Sequence, residues 1–208
     1  MTRPFTEHTG VAAPLLLDDV NTDQITPAAP LRSLRPDYGA AWFSRWRFNS
    51  GGEEIQSFVL NRPQFRSASI LVVGRNFGCG SSRESAVWAM AARGVRCVIG
   101  RSIAEHFRAN CVQNGILPVA LGADAGDFEA NVLSVDGSGQ FRVDLRDQTI
   151  LAPDGRVFRF DTPSGDRYML LHGFDDVDLC LRHAADIDRW ERETQSDQPW
   201  LQGIPVRR

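Results

Sequence analysis

The stretch from Ile70 to Ile99 reads ILVVGRNFGCGSSRESAVWAMAARGVRCVI. It contains a short apolar run, a glycine-rich loop, a segment with apolar residues at helical spacing that ends at Gly94, and a second apolar run. A short apolar run of this kind is typical of a buried strand, and a glycine just after the last helical residue is a common helix end. The stretch therefore predicts a strand, a helix and a second strand, the unit from which parallel sheets are built.

The alternation continues on the C-terminal side of this stretch. A second helix is predicted from about Ser102 to Asn114, where Gly115 follows, and a third strand from Ile116 to Leu121. Both helices carry a capping-box pattern at their predicted start, Ser81-x-x-Glu84 in the first and Ser102-x-x-Glu105 in the second. This order of elements predicts a parallel sheet covered by helices.

The flanking regions have a different character. The apolar segment from Val11 to Leu17 predicts a strand that leads into a turn at 18–23, and the proline-broken segment 27–46 predicts a long exposed loop. Beyond Asp124, alternating residues at 141–145 and 157–160 predict an antiparallel hairpin.

The predicted fold class is α/β, with a central parallel strand-helix-strand core, an antiparallel hairpin and C-terminal helices. The C-terminal helices are predicted within 166–193, where apolar residues recur among charges. We expect residues 1–193 to form one domain and residues 194–208, which are polar and broken by proline, to form a C-terminal tail.

Composition excludes several classes of protein. The 208 residues carry a formal net charge of -3, which gives no broad electrostatic footprint for nucleic acid or an anionic membrane. No apolar run approaches the roughly 20 residues that a membrane-spanning helix needs, and the chain does not begin with a signal-peptide pattern, so we expect a cytoplasmic location. The chain contains no lysine, which excludes a Schiff-base mechanism and the phosphate-binding lysine of a P-loop.

The cysteines are dispersed and form no C-x-x-C pair. This spacing, in a chain long enough to fold without disulfides, predicts reduced thiols. A metal site within the chain would need ligands from distant positions, and we expect none. The four cysteines are Cys79, Cys97, Cys111 and Cys180.

The glycine-rich loop is the candidate functional segment. Residues 76–84 read NFGCGSSRE and place two hydroxyls and an arginine where the loop is predicted to enter a helix. The unpaired N–H groups and the dipole at a helix start favour an anion. Gly78 and Gly80 let the backbone approach a ligand closely, and Arg83 can bind a carboxylate through two hydrogen bonds. The alternatives are that Ser81 only caps the helix, or that the loop binds phosphate, although neither glycine-rich phosphate pattern is present.

This loop resembles the corresponding segment of the small subunits of 3-isopropylmalate dehydratase, a family within the aconitase superfamily. Further segments resemble the family in the same order, and the likeness covers nearly the whole chain, most weakly after Asp124. These segments are HTG at 8–10, NTDQI at 21–25, WRF at 46–48, FVLN at 58–61 and NGILPV at 114–119.

The resemblance implies a swivelling β/β/α domain, equivalent to the mobile domain of aconitase, supplied as a separate polypeptide. It also implies a partner large subunit that holds a four-iron four-sulfur cluster through three cysteines and leaves one iron open to the substrate hydroxyl. By position in the motif, Ser81 corresponds to the catalytic base, Arg83 to a ligand of a substrate carboxylate and Asp23 to an active-site aspartate. For Asp23 the alternative is a turn-forming residue.

The reaction that the resemblance implies is the interconversion of 2-isopropylmalate and 3-isopropylmalate in leucine biosynthesis, by dehydration and rehydration. The family motif usually has histidine and proline where this chain has Ser85 and Val87. Other small branched acids, such as 2-methylmalate and citraconate, are therefore alternative substrates. A non-catalytic carboxylate-binding domain is a further alternative, whereas a dinucleotide-binding fold would need a glycine spacing that the chain lacks.

We expect the di-acid substrate to contact both the glycine-rich loop and the segment 26–39. In the loop, we expect the residues next to Ser81 to contact the substrate. In the segment 26–39, apolar side chains could contact its alkyl group, and arginines could bind a carboxylate. The predicted substrate-binding residues are Cys79, Gly80 and Ser82 in the loop, Leu31 and Leu34 for the alkyl group, and Arg32 and Arg35 for a carboxylate.

Overall fold

Two four-stranded sheets form the framework of the part of the chain that the structure describes. The structure is a computed structural model and describes residues 2–27, 34–198 and 200. Among these residues, no helix is long and apolar enough to cross a membrane. The strands are β1 (Glu7–Gly10), β2 (Ala12–Leu15), β3 (Ile70–Val73), β4 (Cys97–Gly100), β5 (Leu117–Ala120), β6 (Phe141–Asp144), β7 (Thr149–Leu151) and β8 (Val157–Arg159). The α-helices are α1 (Thr22–Ile25), α2 (Tyr38–Ala41), α3 (Ser44–Arg47), α4 (Ser85–Ala92), α5 (Glu105–Gln113), α6 (Ala125–Val135), α7 (Ser164–His172), α8 (Asp176–Leu181) and α9 (Ala184–Asp197).

The first sheet is parallel and has the strand order β2-β3-β4-β5. This confirms the predicted parallel core of β3, β4 and β5, and it adds β2, which was predicted as a strand but not as part of this sheet. All four residues of β3 and of β4 are buried, because helices or a second sheet cover both faces of the parallel sheet. Short 3-10 helices at Val59–Asn61 and Pro63–Phe65 precede β3.

The two faces of the parallel sheet support two separate hydrophobic clusters. Side chains alternate between the faces along each strand, so Leu71 and Val73 pack in one cluster and Ile70 and Val72 in the other. The first cluster lies under α4 and α5 and includes Phe107. The second cluster lies between the parallel sheet, α6, α7 and the antiparallel sheet, which gives the three layers of an α/β domain.

The second sheet is antiparallel and has the order β1-β6-β7-β8. The segments predicted to form a hairpin, 141–145 and 157–160, do belong to strands of the antiparallel sheet, but they do not pair with each other. The strand β7 lies between them and pairs with both. It has only three residues and follows a polar turn, so its apolar signal in the sequence is short.

Two features of the helices differ from the prediction. The predicted capping boxes do not form. Helix α4 begins at Ser85 and α5 at Glu105. Neither Ser81 nor Ser102 caps its helix. Helix α6 was not predicted, because Gly126, Asp127 and Asn131 weaken its helical propensity. Its buried residues nevertheless recur at helical spacing, at Ala125, Phe128, Glu129, Asn131 and Val132.

The predicted loop at 27–46 is partly helical in the structure. Residues 28–33 lie outside the described residues, and the remainder contains α2 and α3. Helix α2 packs against α4, where the rings of Tyr38 and Trp88 meet edge to face with centroids 5.4 Å apart. At the C-terminus, α7, α8 and α9 confirm the predicted helices, and α9 continues to Asp197, past the predicted domain end at 193.

Gly78 packs against a ring in a way that no other residue could, and this gives a prediction with an internal control. Gly78 has φ +76°, and a Cβ there would lie 2.1 Å from Cγ of the buried Phe107. Gly155 has φ +87° and nothing within 4 Å of an added Cβ. Gly155→Ala should therefore lower the free energy of unfolding by about 1–2 kcal/mol, the cost of a left-handed conformation. Gly78→Ala should lower it by about 2–5 kcal/mol, because overpacking is added. Urea denaturation of both variants measures the difference, and equal losses would contradict the packing argument.

His8 joins the two sheets and should make stability depend on pH. Its Nε2 lies 2.7 Å from Oγ of Ser69, which precedes β3. Burial and the nearby guanidinium groups of Arg96 and Arg3 lower the pKa of His8 below 6.5. The unfolded chain therefore takes up this proton at a higher pH than the folded chain, so the free energy of unfolding falls as the pH drops below about 6.5. Urea denaturation between about pH 7.5 and 5 should show a smaller decline in His8→Gln. The same decline in both proteins would remove His8 as its cause.

Candidate functional site

The candidate site forms where the loop after β3 meets the chain that leads into α1. Backbone hydrogen bonds join the two segments: Gly78 N–H donates to the carbonyl of Val20 at 2.7 Å, and Thr22 N–H donates to the carbonyl of Cys79 at 2.9 Å. A parallel β-bridge between Asn21 and Cys79 continues this contact. The loop is thus held by main-chain bonds, which fix the position of the residues that follow Cys79.

Ser81 lies at the exposed end of this contact. Its Oγ is 3.3 Å from Oγ1 of Thr22, and the same Thr22 hydroxyl donates to the carbonyl of Ser81 at 3.0 Å. Thr22 is buried whereas Ser81 is exposed. The buried hydroxyl therefore positions a serine that solvent or a ligand can reach.

Arg83 and Asp23, two predicted site residues that are 60 positions apart, are brought together by the fold. Nη2 of Arg83 lies 2.5 Å from Oδ1 of Asp23. The Arg83 side chain is 32% exposed and that of Asp23 is 65% exposed. The Nε of Arg83 is buried and has no hydrogen-bond partner among the described residues. One nitrogen of the guanidinium is thus paired with an acid, and the side chain as a whole stays partly exposed.

The sequence left two roles open for Asp23, an active-site carboxylate or a turn-forming residue. In the structure Asp23 is part of a helix. It lies in the first turn of α1, and the cap of that helix is Asn21. The Asn21 side chain accepts from Gln24 N–H at 2.9 Å, and the Gln24 side chain accepts from Asn21 N–H at 2.7 Å. This capping box leaves the carboxylate of Asp23 free for Arg83.

The segment 81–83 precedes α4 and is not part of its first turn. The helix begins at Ser85, and the carbonyl of Glu84 accepts from the N–H groups of Val87 and Trp88. The sequence pattern predicted that the helix starts at the Ser81 hydroxyl. In the structure it starts at Ser85 instead. Since the field of a helix end falls off within one turn, Arg83, two residues after Ser81, is the positive side chain that the loop itself supplies.

The other predicted residues of the loop take supporting positions. Gly80 has φ +94°, a conformation that side chains rarely adopt. Cys79 is half-buried, and its thiol donates to the carbonyl of Asp19 with a distance of 3.4 Å. Ser82 is exposed, and its carbonyl accepts from Nδ2 of Asn110 at 3.2 Å.

The predicted specificity residues in 26–39 are only partly described. Leu31 and Arg32 lie outside the described residues. Leu34 is fully exposed and Arg35 is exposed. The contact of α2 with α4 places this segment beside the helix that follows Arg83.

Two residues of the site were missed in the sequence analysis. Thr22 is the hydroxyl partner of Ser81, and its place before Asp23 in a quoted segment was a usable signal. Asn110 lies in the middle of α5 and holds the loop from the other side through the carbonyl of Ser82. No local pattern marks it, because its partner lies 28 residues away.

The cysteines do not fit an iron–sulfur site. Cys97 and Cys111 are fully buried in the core, and burial raises the pKa of both thiols, which disfavours the thiolate that iron requires. Cys79 and Cys180 lie in the loop and in α8. Within the described part of the chain, no three His, Cys, Asp or Glu side chains converge on a point.

Comparison with known proteins places this geometry in a family. A sequence profile of the aconitase C-terminal domain matches residues 2–124, and a profile of the C-terminal domain of the 3-isopropylmalate dehydratase small subunit matches residues 176–204. The 3-isopropylmalate dehydratase small subunit of Rhodospirillum centenum is 44% identical over 200 residues, which is 96% of this chain and 98% of that one.

Two further relatives agree with this placement. The 3-isopropylmalate dehydratase small subunit of Dinoroseobacter shibae is 42% identical over 198 residues, covering 95% of this chain and 98% of its own. The crystal structure of 3-isopropylmalate dehydratase (leuD) from Methanocaldococcus jannaschii superposes with a TM-score of 0.61 at 25% identity, over 88% of this chain and 98% of that one. The chain therefore belongs to the family of 3-isopropylmalate dehydratase small subunits, within the aconitase superfamily.

Proposed function

We propose that this chain is the small subunit of a cytoplasmic 3-isopropylmalate dehydratase, a hydro-lyase that interconverts 2-isopropylmalate and 3-isopropylmalate by dehydration and rehydration. The observation that carries the proposal is that neighbouring residues of α1 contact both candidate groups: buried Thr22 contacts the exposed Ser81 hydroxyl, and Asp23 pairs with the guanidinium of Arg83. The family identity of the chain, at 42–44% over nearly its whole length, supports the same reaction.

In this proposal, Ser81 removes the proton next to a substrate carboxylate, and Arg83 binds that carboxylate. A serine hydroxyl is a weak base in water, so its deprotonated form must be stabilised by a nearby positive charge and by exclusion of water. Arg83 supplies the charge, because α4 begins only at Ser85. The Arg83 side chain is 32% exposed, so the Nη donors that do not contact Asp23 can bind the substrate.

The described residues of this chain do not supply two requirements of such a site, a cover that excludes solvent and a metal cluster. Ser81 and Asp23 face solvent, and the described cysteines do not fit a metal cluster. We propose that a large subunit covers this face and carries the four-iron four-sulfur cluster, which acts on the substrate hydroxyl. The residues of this chain bind and orient the di-acid and hold the proton that is removed.

The catalytic role of Ser81 is tested by coexpression with the large subunit under anaerobic conditions. Ser81→Ala should lower kcat by at least about 1000-fold with little change in KM, because the base acts in the transition state. The matched control is Ser67→Ala, at the opposite end of β3, which should keep the kcat of the wild type. Size-exclusion chromatography should show the two-subunit complex in both variants. Full activity of an assembled Ser81→Ala complex would remove Ser81 as the base.

The proposed specificity segment gives a second kinetic prediction. If Leu31 and Leu34 face the isopropyl group, the double variant Leu31→Ala/Leu34→Ala loses apolar contact, and KM for 3-isopropylmalate should rise about 10–100-fold. The exposed Leu133 on α6, changed to alanine, serves as the control. The same enzyme should be assayed with citraconate, whose smaller alkyl group should be less affected. An unchanged KM for 3-isopropylmalate would reject these residues as the alkyl contact.

A further inference from the structure

The hydroxyl of Thr22 is the polar group that touches the Ser81 side chain directly. Its Oγ1 lies 3.3 Å from Oγ of Ser81, which makes no other hydrogen bond with the described residues. Thr22 is 1% exposed, so its hydroxyl depends on protein groups for its hydrogen bonds. The chemistry proposed for Ser81 would therefore take place in contact with a buried hydroxyl of the same chain.

The backbone of Thr22 fixes the place of this hydroxyl. Thr22 is the first residue of α1, and its N–H donates to the carbonyl of Cys79 at 2.9 Å. Its own carbonyl accepts from the N–H of Thr26 at 2.9 Å. Both polar groups of the Thr22 main chain are thus occupied, so the residue cannot move away from the loop without breaking hydrogen bonds.

The directions of the two side-chain hydrogen bonds follow from the number of hydrogens. A threonine hydroxyl has one hydrogen to donate and can also accept. A carbonyl oxygen only accepts, so the 3.0 Å contact with the carbonyl of Ser81 uses the hydrogen of Thr22. In the 3.3 Å contact between the two hydroxyls, Thr22 is therefore the acceptor and Ser81 is the donor. This arrangement suits a neutral serine.

A deprotonated Ser81 would require the opposite direction. An alkoxide has no hydrogen and accepts only, so the Thr22 hydroxyl must then donate to it. Rotation about the Cβ–Oγ1 bond of Thr22 moves the hydrogen from the Ser81 carbonyl to the Ser81 Oγ, and no covalent bond breaks. A hydrogen bond to a charged oxygen is about twice as strong as one between neutral groups. The alkoxide therefore competes successfully with the carbonyl for this hydrogen.

The distance between the two hydroxyl oxygens allows this change. Neutral hydroxyl pairs usually lie about 2.7–2.8 Å apart, so the 3.3 Å between Thr22 and Ser81 is a long contact. A charged acceptor shortens such a bond to about 2.5–2.7 Å. The geometry thus gives a weak contact with neutral Ser81 and leaves room for a short, strong one with its alkoxide.

We propose that Thr22 is a positioning residue that stabilises the deprotonated form of Ser81 by donating its hydroxyl hydrogen to it. The inference rests on the proposed role of Ser81 as the base. When the C–H bond of the substrate breaks, the proton joins the Ser81 oxygen, and the electron pair forms the double bond as the substrate hydroxyl leaves. The hydrogen of Thr22 then returns to the Ser81 carbonyl. Arg83 contributes charge to the same state, and Thr22 contributes the direct hydrogen bond.

Steady-state kinetics of the two-subunit complex, coexpressed under anaerobic conditions, tests the proposal with 3-isopropylmalate as substrate. Thr22→Val keeps the shape of the side chain and removes the hydroxyl, and it should lower kcat by about 10–100-fold with KM changed less than about threefold. Thr22→Ser keeps the hydroxyl and should retain at least about a third of the wild-type kcat. The matched control is Thr162→Val, which removes a buried threonine hydroxyl that has no partner and should keep the wild-type kcat.

An isotope effect separates this role from a merely structural one. The substrate carries deuterium on the carbon that bears the isopropyl group, where the proton is removed. If Thr22 acts on proton removal, its loss slows that step, and the isotope effect on kcat in Thr22→Val should be at least as large as in the wild type. If Thr22→Val instead slowed binding, closure or release, the isotope effect would be smaller than in the wild type.

Circular dichroism and size-exclusion chromatography verify folding and assembly, and Thr22→Ala replaces Thr22→Val if that variant does not assemble. Wild-type kcat in an assembled Thr22→Val complex, an equal loss in Thr22→Ser, or a smaller isotope effect would overturn the proposal. Ser81→Ala distinguishes the two inferences. Full activity of that variant removes the base itself, whereas an inactive Ser81→Ala complex beside a fully active Thr22→Val complex removes only the role of Thr22.

Discussion

The main-chain hydrogen bonds between the loop after β3 and the chain before α1 are the constraint on which the candidate site depends. They are made by Gly78 with Val20 and by Thr22 with Cys79. Only glycine fits at position 78. Its backbone has positive φ, and Phe107 occupies the space where a side chain would be. The requirement for glycine therefore comes from helix packing in the core as well as from the turn itself. The core under α5 and the exposed loop are parts of one arrangement.

This constraint explains how residues from distant parts of the sequence meet. The pairing of the loop with residues 20–22 puts α1 directly beside residues 81–83. Thr22 then reaches Ser81, and one residue further along α1, Asp23 reaches Arg83. On the other side, Asn110 of α5 holds the carbonyl of Ser82. Helices α1 and α5 thus fix a short segment that has no regular structure of its own.

The fold could be predicted from the sequence where a single local signal dominated. The apolar runs at β3, β4 and β5 are buried on both faces, so they are continuous and easy to recognise. Helix α6 was missed because Gly126 and Asn131 oppose it locally, and its stability comes from packing of Phe128 and Val132 against the sheets. The strand β7 was missed for a related reason, since three residues give almost no periodicity.

For the candidate site, the fold places the predicted residues Ser81, Arg83 and Asp23 around α1, but the predicted position of Ser81 at the helix start is wrong. Ser81 and Glu84 have the spacing of a capping box, yet the helix begins later, because Thr22 and Asn110 hold the segment before it. These contacts span 59 and 28 residues. Local pattern analysis contains no information about partners at such a distance. The error matters chemically, because it transfers the electrostatic role from the helix start to Arg83.

The exposure of the Arg83–Asp23 pair fits a site that is completed only on assembly. An exposed ion pair contributes about 0–1 kcal/mol, so Asp23 can orient the guanidinium while a substrate carboxylate still competes for it at little cost. When a partner covers this face and excludes water, the attraction between Arg83 and a bound anion increases, since a lower dielectric strengthens every charge interaction. In the proposed complex, the residues that pair weakly in the free subunit would therefore interact strongly with a bound di-acid.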